Sequence, residues 1–200
     1  EHAVKGLFTL SGGHIFPLYD GCRKTDIRLI DVRHEQTAVF AAEAWAKVTR
    51  ETGVAALTAG PGVTNGVSAM TSAYLSGSPI LVFGGRAPDS RWGQGSLQEL
   101  DHVPIVKSIT KEARTSTSTE GIARDVSELF NAAGAAHRGP TFLDVPLDLF
   151  FSSGRTELPP RDLEALREPE PESIAEVLRL LAAAERPVIV AGSDVYWERA

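Results

Sequence analysis

Short apolar runs alternate with segments of helical periodicity along the first 150 residues of the chain. The apolar runs are rich in β-branched side chains, which predicts strands, and they occupy residues 7–10, 27–32, 54–59, 79–83 and 141–145. The segments between them repeat apolar or alanine residues at helical spacing, which predicts helices at 15–24, 36–50, 65–76 and 120–136.

The alternation of strands and helices predicts an α/β fold. Runs such as Ile80 to Phe83 are apolar at every position, and a strand of that kind needs cover on both faces of its sheet. We therefore expect a doubly wound, mainly parallel sheet with helices on both faces. The alanines of the 36–50 helix should let another backbone approach closely.

The composition changes after residue 151. Residues 152–172 contain four prolines and many charges, which predicts a linker. Ser173 and Glu176 have the spacing of a capping box, and residues 187–192 form an apolar run that ends in glycine. We therefore predict a domain over 1–151, a linker over 152–172 and the start of a truncated second α/β unit over 173–200.

The beginning of the chain and its composition add further expectations. Residues 1–6 resemble the last turn of a helix that Gly6 ends, so we expect the chain to be a piece of a longer protein. A net charge of −6 argues against a nucleic-acid partner. No run approaches the roughly 18 apolar residues of a membrane span. Cys22, the one cysteine, is predicted to be a buried helical residue, and a cytoplasmic location fits.

Two junctions between a strand and a helix carry the candidate chemistry. Glu35 lies in the first, and the glycine-rich turn Thr58-Ala59-Gly60-Pro61-Gly62-Val63-Thr64-Asn65 forms the second. Ligands bind beyond the carboxyl ends of the strands in open parallel sheets, so both junctions should face one crevice. Glu35 is the candidate catalytic carboxyl group, and we expect it to be held away from solvent.

The glycine-rich turn has a second interpretation. Gly60-x-Gly62 after a strand also resembles a dinucleotide-binding fingerprint, with Arg86 in place of the acidic residue that binds a ribose. Pro61 and the position of the turn after a later strand count against this interpretation. Asn65 either contacts a ligand or simply caps the helix that follows.

Six motifs follow one another between residues 7 and 151. They are Ser11-Gly12-Gly13-His14, Arg33-His34-Glu35-Gln36, the turn 58–65, Gly84-Gly85-Arg86-Ala87-Pro88, Leu97-Gln98-Glu99, and Gly139-Pro140 with Asp144-Val145-Pro146. In this order they resemble the N-terminal, pyrimidine-binding domain of thiamine diphosphate-dependent enzymes of the acetolactate synthase type. Residues 186–192 are similar to the start of the middle domain of that family, and residues 8–15 also resemble 2-hydroxyacyl-CoA lyases.

The resemblance implies roles for individual residues. Glu35 would hydrogen-bond the aminopyrimidine of thiamine diphosphate and so promote loss of the thiazolium proton, and cofactor contacts would come from Gly12, Gly13, Pro61 and Asn65. Gln98 would face the reacting centre, although it is equally readable as an exposed glutamine in a mobile loop. His14 replaces the small residue of typical acetolactate synthases, so it would either polarise the substrate or satisfy a loop carbonyl group.

The resemblance also implies a reaction and partners. The whole enzyme would decarboxylate a 2-keto acid and add the product to a second carbonyl compound, as a homodimer or homotetramer. The alternatives are a 2-hydroxyacyl-CoA lyase and a non-catalytic binding or dimerisation module. The histidines show no metal-site spacing and read as surface or satisfied core residues. The chain lacks the Gly-Asp-Gly motif and the later asparagine that hold Mg²⁺ and the diphosphate in this family, so the resemblance implies that Mg²⁺ binds through a domain absent from this chain. FAD in the middle domain is left open.

Overall fold

A six-stranded parallel sheet forms the centre of the computed structural model, which describes residues 2–157, 159 and 169–199. The strands are β1 (Gly6–Thr9), β2 (Arg28–Asp31), β3 (Gly53–Leu57), β4 (Ile80–Arg86), β5 (Glu112–Thr115) and β6 (Pro140–Pro146). They lie in the order β2-β1-β3-β4-β6-β5, and every neighbouring pair is parallel. The predicted parallel α/β sheet is therefore confirmed.

Helices cover both faces of the sheet. The helices of the described residues are α1 (Phe16–Arg23), α2 (Glu35–Thr49), α3 (Pro61–Leu75), α4 (Val103–Val106), α5 (Ile122–Gly134), α6 (Leu147–Phe151), α7 (Pro171–Ala183) and α8 (Ser193–Trp197). α7 is exposed along its whole length and is not one of the covering helices. Side chains of α2, α3 and α4 pack against one face, and side chains of α1, α5 and α6 pack against the other. β3 alternates accordingly, with Leu57 in the first core and Val54 in the second.

The alanines of α2 bring this helix close to the sheet, as the sequence predicts. Ala38, Ala42 and Ala46 are fully buried in the core. A Cβ atom on Gly53, at the start of β3, would lie 2.0 Å from the carbonyl oxygen of Ala42. The missing side chain of Gly53 and the small methyl side chains of the α2 alanines therefore set the distance between α2 and β3.

The order of the strands creates a crevice at the carboxyl edge of the sheet. The chain passes from β1 to β2 on one side and then returns to place β3 on the other side of β1. The loops after β1 and β3 consequently leave the sheet in different directions, with an opening between them. The two strand-to-helix junctions that the sequence singles out lie at this same edge, after β2 and β3.

Several element boundaries differ from the predictions. Gly6 begins β1 and does not end a helix, since the Arg28 amide donates to the Lys5 carbonyl group, 3.0 Å away, and extends the strand pairing. β5 was not predicted, because Glu112–Thr115 is a polar edge strand in which Ala113 alone packs against the core. α3 begins at Pro61, four residues before the predicted start, since proline suits the first turn of a helix.

The carboxyl-terminal segment departs further from the predictions. The predicted linker falls in large part on residues 158 and 160–168, which lie outside the described residues. Glu170 occupies the N-cap position of α7 without a side-chain capping hydrogen bond, so Ser173 lies inside the helix and the predicted capping box is wrong. Residues 187–192 form no strand. Among the residues that the structure describes, no helix combines the length and apolar character needed to cross a membrane.

The contact between α2 and β3 can be tested with two glycine variants. Gly53→Ala should lower the free energy of unfolding by about 1–3 kcal/mol or more, because the new Cβ overlaps backbone atoms of Ala42 that cannot rotate away. Gly21→Ala is the control: its Cβ meets nothing within 4 Å inside α1, and alanine should stabilise the helix by about 0.5–1 kcal/mol. Urea unfolding measures both effects, and equal stability of the two variants would contradict this account.

Candidate functional site

Glu35 stands at the mouth of the glycine-rich turn. It is the first residue of α2, directly after the His34 cap, whose ring accepts the Gln36 amide hydrogen at 3.1 Å. Its Oε2 atom accepts a hydrogen bond from Asn65 Nδ2 at 3.0 Å. Its Oε1 atom lies 3.8 Å from the position that a Cβ atom on Gly62 would take. The two junctions therefore meet, as predicted, although Glu35 is only half-buried.

Asn65 belongs to the second turn of α3 and does not cap that helix. Gly60 is the residue before Pro61, the first residue of α3, and it occupies the N-cap position. The capping interpretation of Asn65 is therefore wrong. The exposed Asn65 amide instead donates to Glu35, from a helix that follows a different strand. This hydrogen bond fixes one carboxylate oxygen and joins the two sides of the crevice.

The glycine turn has a shape that side chains would destroy. Gly60 has φ +59° and ψ −118°, a conformation that L-residues rarely adopt. A Cβ atom on Gly62 would lie 2.6 Å from Thr58 Cγ2. Pro61 is exposed at the first position of α3, where its missing amide hydrogen costs nothing. The turn therefore presents a rigid, small surface beside Glu35.

Gln98 lies over this turn. Its own φ is +56°, and a Cβ atom on Gly60 would lie 3.0 Å from both Gln98 Cβ and the Gln98 carbonyl oxygen. The loop is anchored by Glu99, whose carboxylate accepts amide hydrogens from Gly93 at 3.0 Å and Ser96 at 3.3 Å. Gln98 is thus a half-buried residue of the crevice, and its role towards a substrate stays a prediction.

The loop after β1 supplies the opposite wall. A Cβ atom on Gly12 would lie 2.3 Å from Thr58 Cβ, so this loop touches the loop after β3. Gly13 is exposed, and a Cβ atom there would meet nothing within 4 Å. The structure therefore requires Gly12 for packing, whereas the space at Gly13 is open to a ligand.

His14 is buried between these loops, with 5% of its surface exposed. Its Nδ1 atom lies 3.4 Å from Thr58 Oγ1, and its ring also hydrogen-bonds the Leu97 backbone. Burial lowers the pKa of His14 below its ordinary 6.5, and the nearby His102 acts in the same direction, whereas the Leu97 bond raises it. The loop-carbonyl interpretation is supported, and the substrate role stays a prediction.

A buried polar network that the sequence did not reveal lies beneath the turn. His102 Nε2 accepts the Gly60 amide hydrogen at 2.8 Å, and His102 Nδ1 lies 3.0 and 3.1 Å from the two Asp144 carboxylate oxygens. Arg86 Nη1 donates to Asp144 Oδ2 at 3.1 Å. Burial raises the pKa of Asp144 above its ordinary value, while the contacts with His102 and Arg86 act in the opposite direction and lower it.

The contacts of Arg86 bear on the dinucleotide interpretation. Its guanidinium group lies 3.1 Å from Asp144 and 3.3 Å from Asp101, and it stacks on the Trp92 ring with 3.7 Å to the ring centre. A group engaged by two carboxylates and an aromatic face is not available for a ribose phosphate. The structure therefore argues against a dinucleotide site at this turn.

One signal in the sequence indicates part of the network. Asp144 interrupts the apolar strand 141–145, and a charged residue inside a fully buried parallel strand needs a buried partner. Nothing in the pattern identifies His102 as that partner, since 42 residues separate them. In the part of the chain that the structure describes, no group of three or more His, Cys, Asp or Glu side chains is arranged to hold a metal ion.

Comparison with known proteins shows which protein family the chain matches. Residues 1–105 match the family described as thiamine pyrophosphate enzyme, N-terminal TPP binding domain. The chain is 52% identical over 205 aligned residues to the large subunit of acetolactate synthase from Mycobacterium tuberculosis and to a probable acetolactate synthase from Mycobacterium bovis, covering 98% of this chain. It spans only 37% of the length of these relatives.

One further relative and one solved structure widen the comparison. The human 2-hydroxyacyl-CoA lyase 2 is 41% identical over 150 residues, which cover 75% of this chain and 24% of that protein. The solved structure of a thiamine diphosphate-dependent 4-hydroxybenzoylformate decarboxylase from Rhodococcus jostii superposes with a TM-score of 0.90 at 24% identity, over 99% of this chain and 38% of that one. This last similarity shows the fold alone.

The lowered pKa of His14 predicts how stability depends on pH. The unfolded chain binds a proton at His14 more readily than the folded chain, so the His14 contribution is present above pH 6.5 and is lost as the pH falls below it. One titrating group can change the free energy of unfolding by at most about 1.4 kcal/mol per pH unit. His14→Gln should flatten the fall in free energy of unfolding between about pH 7 and 5. Parallel curves for the variant and the parent protein would contradict this account.

Proposed function

Because this chain belongs to the thiamine pyrophosphate enzyme family and contains its N-terminal TPP binding domain, we propose that it binds and activates thiamine diphosphate within a larger enzyme. That enzyme decarboxylates a 2-keto acid and joins the product to a second carbonyl compound, as in acetolactate synthase. The observation that carries the proposal is Glu35, placed by Asn65 at the mouth of the glycine turn. The similarity to two mycobacterial acetolactate synthases supports the reaction.

The shape of the crevice fits the aminopyrimidine end of this cofactor. The cradle formed by Gly12 and Gly62 has no room for a Cβ atom, while the surface at Gly13 is open. A flat heterocycle can approach such a backbone surface closely. Gly12, Gly13 and Pro61 would line the ring, and Glu35 would exchange a proton with one of its nitrogens. When bound, thiamine diphosphate supplies the electron sink for the decarboxylation.

Asn65 supports the proposed role of Glu35. By donating to Oε2, its amide fixes the plane of the carboxyl group and leaves Oε1 directed towards the turn. A carboxyl group that holds or moves a proton must keep its geometry within hydrogen-bond reach of its partner. Glu35 would therefore be the catalytic carboxyl group, with Asn65 as the residue that orients it.

The substrate side would be formed by Gln98 and His14. Gln98 lies over the glycine turn, and the His14 ring, in the loop after β1, hydrogen-bonds the backbone of Leu97, the residue before Gln98. The two side chains therefore come from opposite walls of the crevice and lie close together. Because burial lowers the pKa of His14, its ring is neutral near neutral pH and can donate or accept a hydrogen bond without a charge. The amide of Gln98 would orient a carbonyl oxygen of the 2-keto acid.

The remaining parts of the proposal concern the whole enzyme. We propose that Mg²⁺ and the diphosphate bind through a domain outside this chain, and that the enzyme is a cytoplasmic homodimer or homotetramer. The exposed aromatic side chains Phe40 and Tyr74, on α2 and α3, support contacts with another subunit or domain. FAD in the middle domain, and the boundaries 1–151, 152–172 and 173–200, are kept as parts of the proposal.

A second candidate function is the cleavage of a 2-hydroxyacyl-CoA. The identity of 41% to human 2-hydroxyacyl-CoA lyase 2, together with the resemblance of residues 8–15 to these lyases, favours it. The lower identity and coverage rank it behind the acetolactate synthase reaction. A third interpretation, in which this chain alone is a binding or dimerisation module without turnover, is compatible with the partial length of the match.

The role of Glu35 is testable without knowledge of the substrate. In the full-length protein, Glu35→Gln should slow deuterium exchange at the thiazolium carbon of bound thiamine diphosphate by at least about 100-fold, the lower range for a positioned acid–base group. Glu51→Gln is the matched control, because Glu51 is exposed after the opposite end of α2. Unchanged exchange in Glu35→Gln at full cofactor occupancy would remove Glu35 from this role.

A direct assay separates the two candidate reactions. The full-length protein with thiamine diphosphate and Mg²⁺ should convert pyruvate into acetolactate faster than it cleaves a 2-hydroxyacyl-CoA, as measured by kcat/KM for each substrate. Preference for the acyl-CoA would establish the second candidate. Cofactor binding without turnover of either substrate would favour a binding module.

A further inference from the structure

We propose that His102 is a positioning residue of the site: by accepting the Gly60 amide hydrogen it holds the glycine turn, and through the turn it holds Gln98. This inference rests on the proposed function for its catalytic meaning. His102 itself does not line the crevice, since it is fully buried. Its effect on the reaction would pass through the backbone of the turn.

The hydrogen bonds define which ring nitrogen of His102 carries the proton. An amide can only donate, so the Gly60 N–H at 2.8 Å requires an unprotonated Nε2. Nδ1 must then carry the hydrogen and donate to Asp144, whose oxygens lie 3.0 and 3.1 Å away. The carboxylate of Asp144 thus selects the tautomer that can accept the Gly60 amide.

Asp144 is in turn held in place from a second strand. Arg86 on β4 donates to Asp144 Oδ2 at 3.1 Å, and Asp144 sits on the neighbouring strand β6, paired with Gly84. Asp144 is fully buried, and Arg86 is 9% exposed. The imidazole is therefore oriented by two central strands of the sheet, so His102 connects the rigid core to the turn.

The turn needs this acceptor. Gly60 is buried and precedes α3, so its amide lies outside the hydrogen-bond ladder of the helix. A buried amide without a partner is costly, and the Gly60 backbone adopts a conformation with few alternatives. If His102 could not accept, the Gly60 peptide would turn towards water and the start of α3 would shift with it.

Movement of Gly60 would reach both sides of the site. Gly62, two residues on, lies against Glu35, and the α-carbon of Gly60 lies against Gln98. The position for a Cβ atom on Gly60 is 3.0 Å from the Gln98 carbonyl oxygen, so the two backbones cannot move independently. By holding Gly60, His102 therefore fixes the position of the glycine turn relative to the loop that carries Gln98.

Two substitutions of His102 distinguish the role of Nε2, which accepts the Gly60 amide hydrogen, from the role of the rest of the ring. An asparagine side chain ends near the position of Nδ1, so His102→Asn can keep the bond to Asp144 and loses the acceptor for Gly60. A glutamine side chain reaches the position of Nε2, so His102→Gln can restore that acceptor. His137→Asn serves as the control, because the His137 side chain is 97% exposed.

The measurements use the full-length protein. Hydrogen exchange of the Gly60 amide should be roughly tenfold faster in His102→Asn, the loss expected for one buried hydrogen bond. The KM for thiamine diphosphate should rise by a similar factor, and His102→Gln should recover most of both effects. Exchange in β3 and β4 should stay unchanged. Uniformly faster exchange across the sheet, or equal impairment in both variants, would overturn the proposal.

A spectroscopic measurement decides the matter even if His102→Asn does not fold. ¹⁵N-histidine labelling of the parent protein should show His102 as the neutral tautomer with hydrogen on Nδ1, and hydrogen on Nε2 would overturn the proposal. Neither the hydrogen exchange of the Gly60 amide nor the tautomer of His102 requires catalytic turnover to be measured. If the protein neither bound thiamine diphosphate nor acted on a 2-keto acid, the proposed function would fail, while these two results would still decide whether His102 holds the turn.

Discussion

The contact between the loop after β1 and the loop after β3 is the constraint on which the site depends. Gly12 lies so close to Thr58 that a Cβ atom would stand 2.3 Å away, and the same threonine touches the space beside Gly62. This contact occurs where the strand order reverses, because β3 returns to the other side of β1. Backbone atoms of the two loops therefore form the floor of the crevice at the carboxyl edge, and Glu35 and Gln98 both lie beside this floor.

The charges near this floor fall into two groups with different physical roles. Asp144 and Arg86 are buried, and each compensates the desolvation of the other through a direct hydrogen bond. That pair is suited to holding a structure, since removing either partner would take away a direct hydrogen bond to a buried charge. Glu35 instead receives one hydrogen bond, from the exposed Asn65, and stays half-buried. A carboxyl group in that setting is oriented and still accessible to a ligand.

The sequence predicted the parts of the structure that depend on local patterns. Alternating apolar runs and alanine-rich helical segments were enough for the parallel sheet, the close α2–β3 contact and the meeting of Glu35 with the glycine turn. β5 was missed because an edge strand with Ala113 as its core contact has no apolar pattern. His102 was interpreted as a surface or satisfied core residue, since its partners Gly60 and Asp144 are brought to it only by the folded chain.

The half-buried state of Glu35 differs from the expectation that the sequence raised. The sequence predicts a carboxyl group held away from solvent, yet Glu35 is half-buried and its neighbours Asn65 and Pro61 are exposed. A proton passed between Glu35 and a heterocycle competes with water unless the site is covered. Under the proposed function, the exposed side of Glu35 is where a cover would have to come from outside the described residues, and the chain spans 37% of the length of the mycobacterial relatives. What the described residues provide is orientation: Asn65 fixes one oxygen of the Glu35 carboxylate, and the rigid glycine turn holds a small surface beside the other.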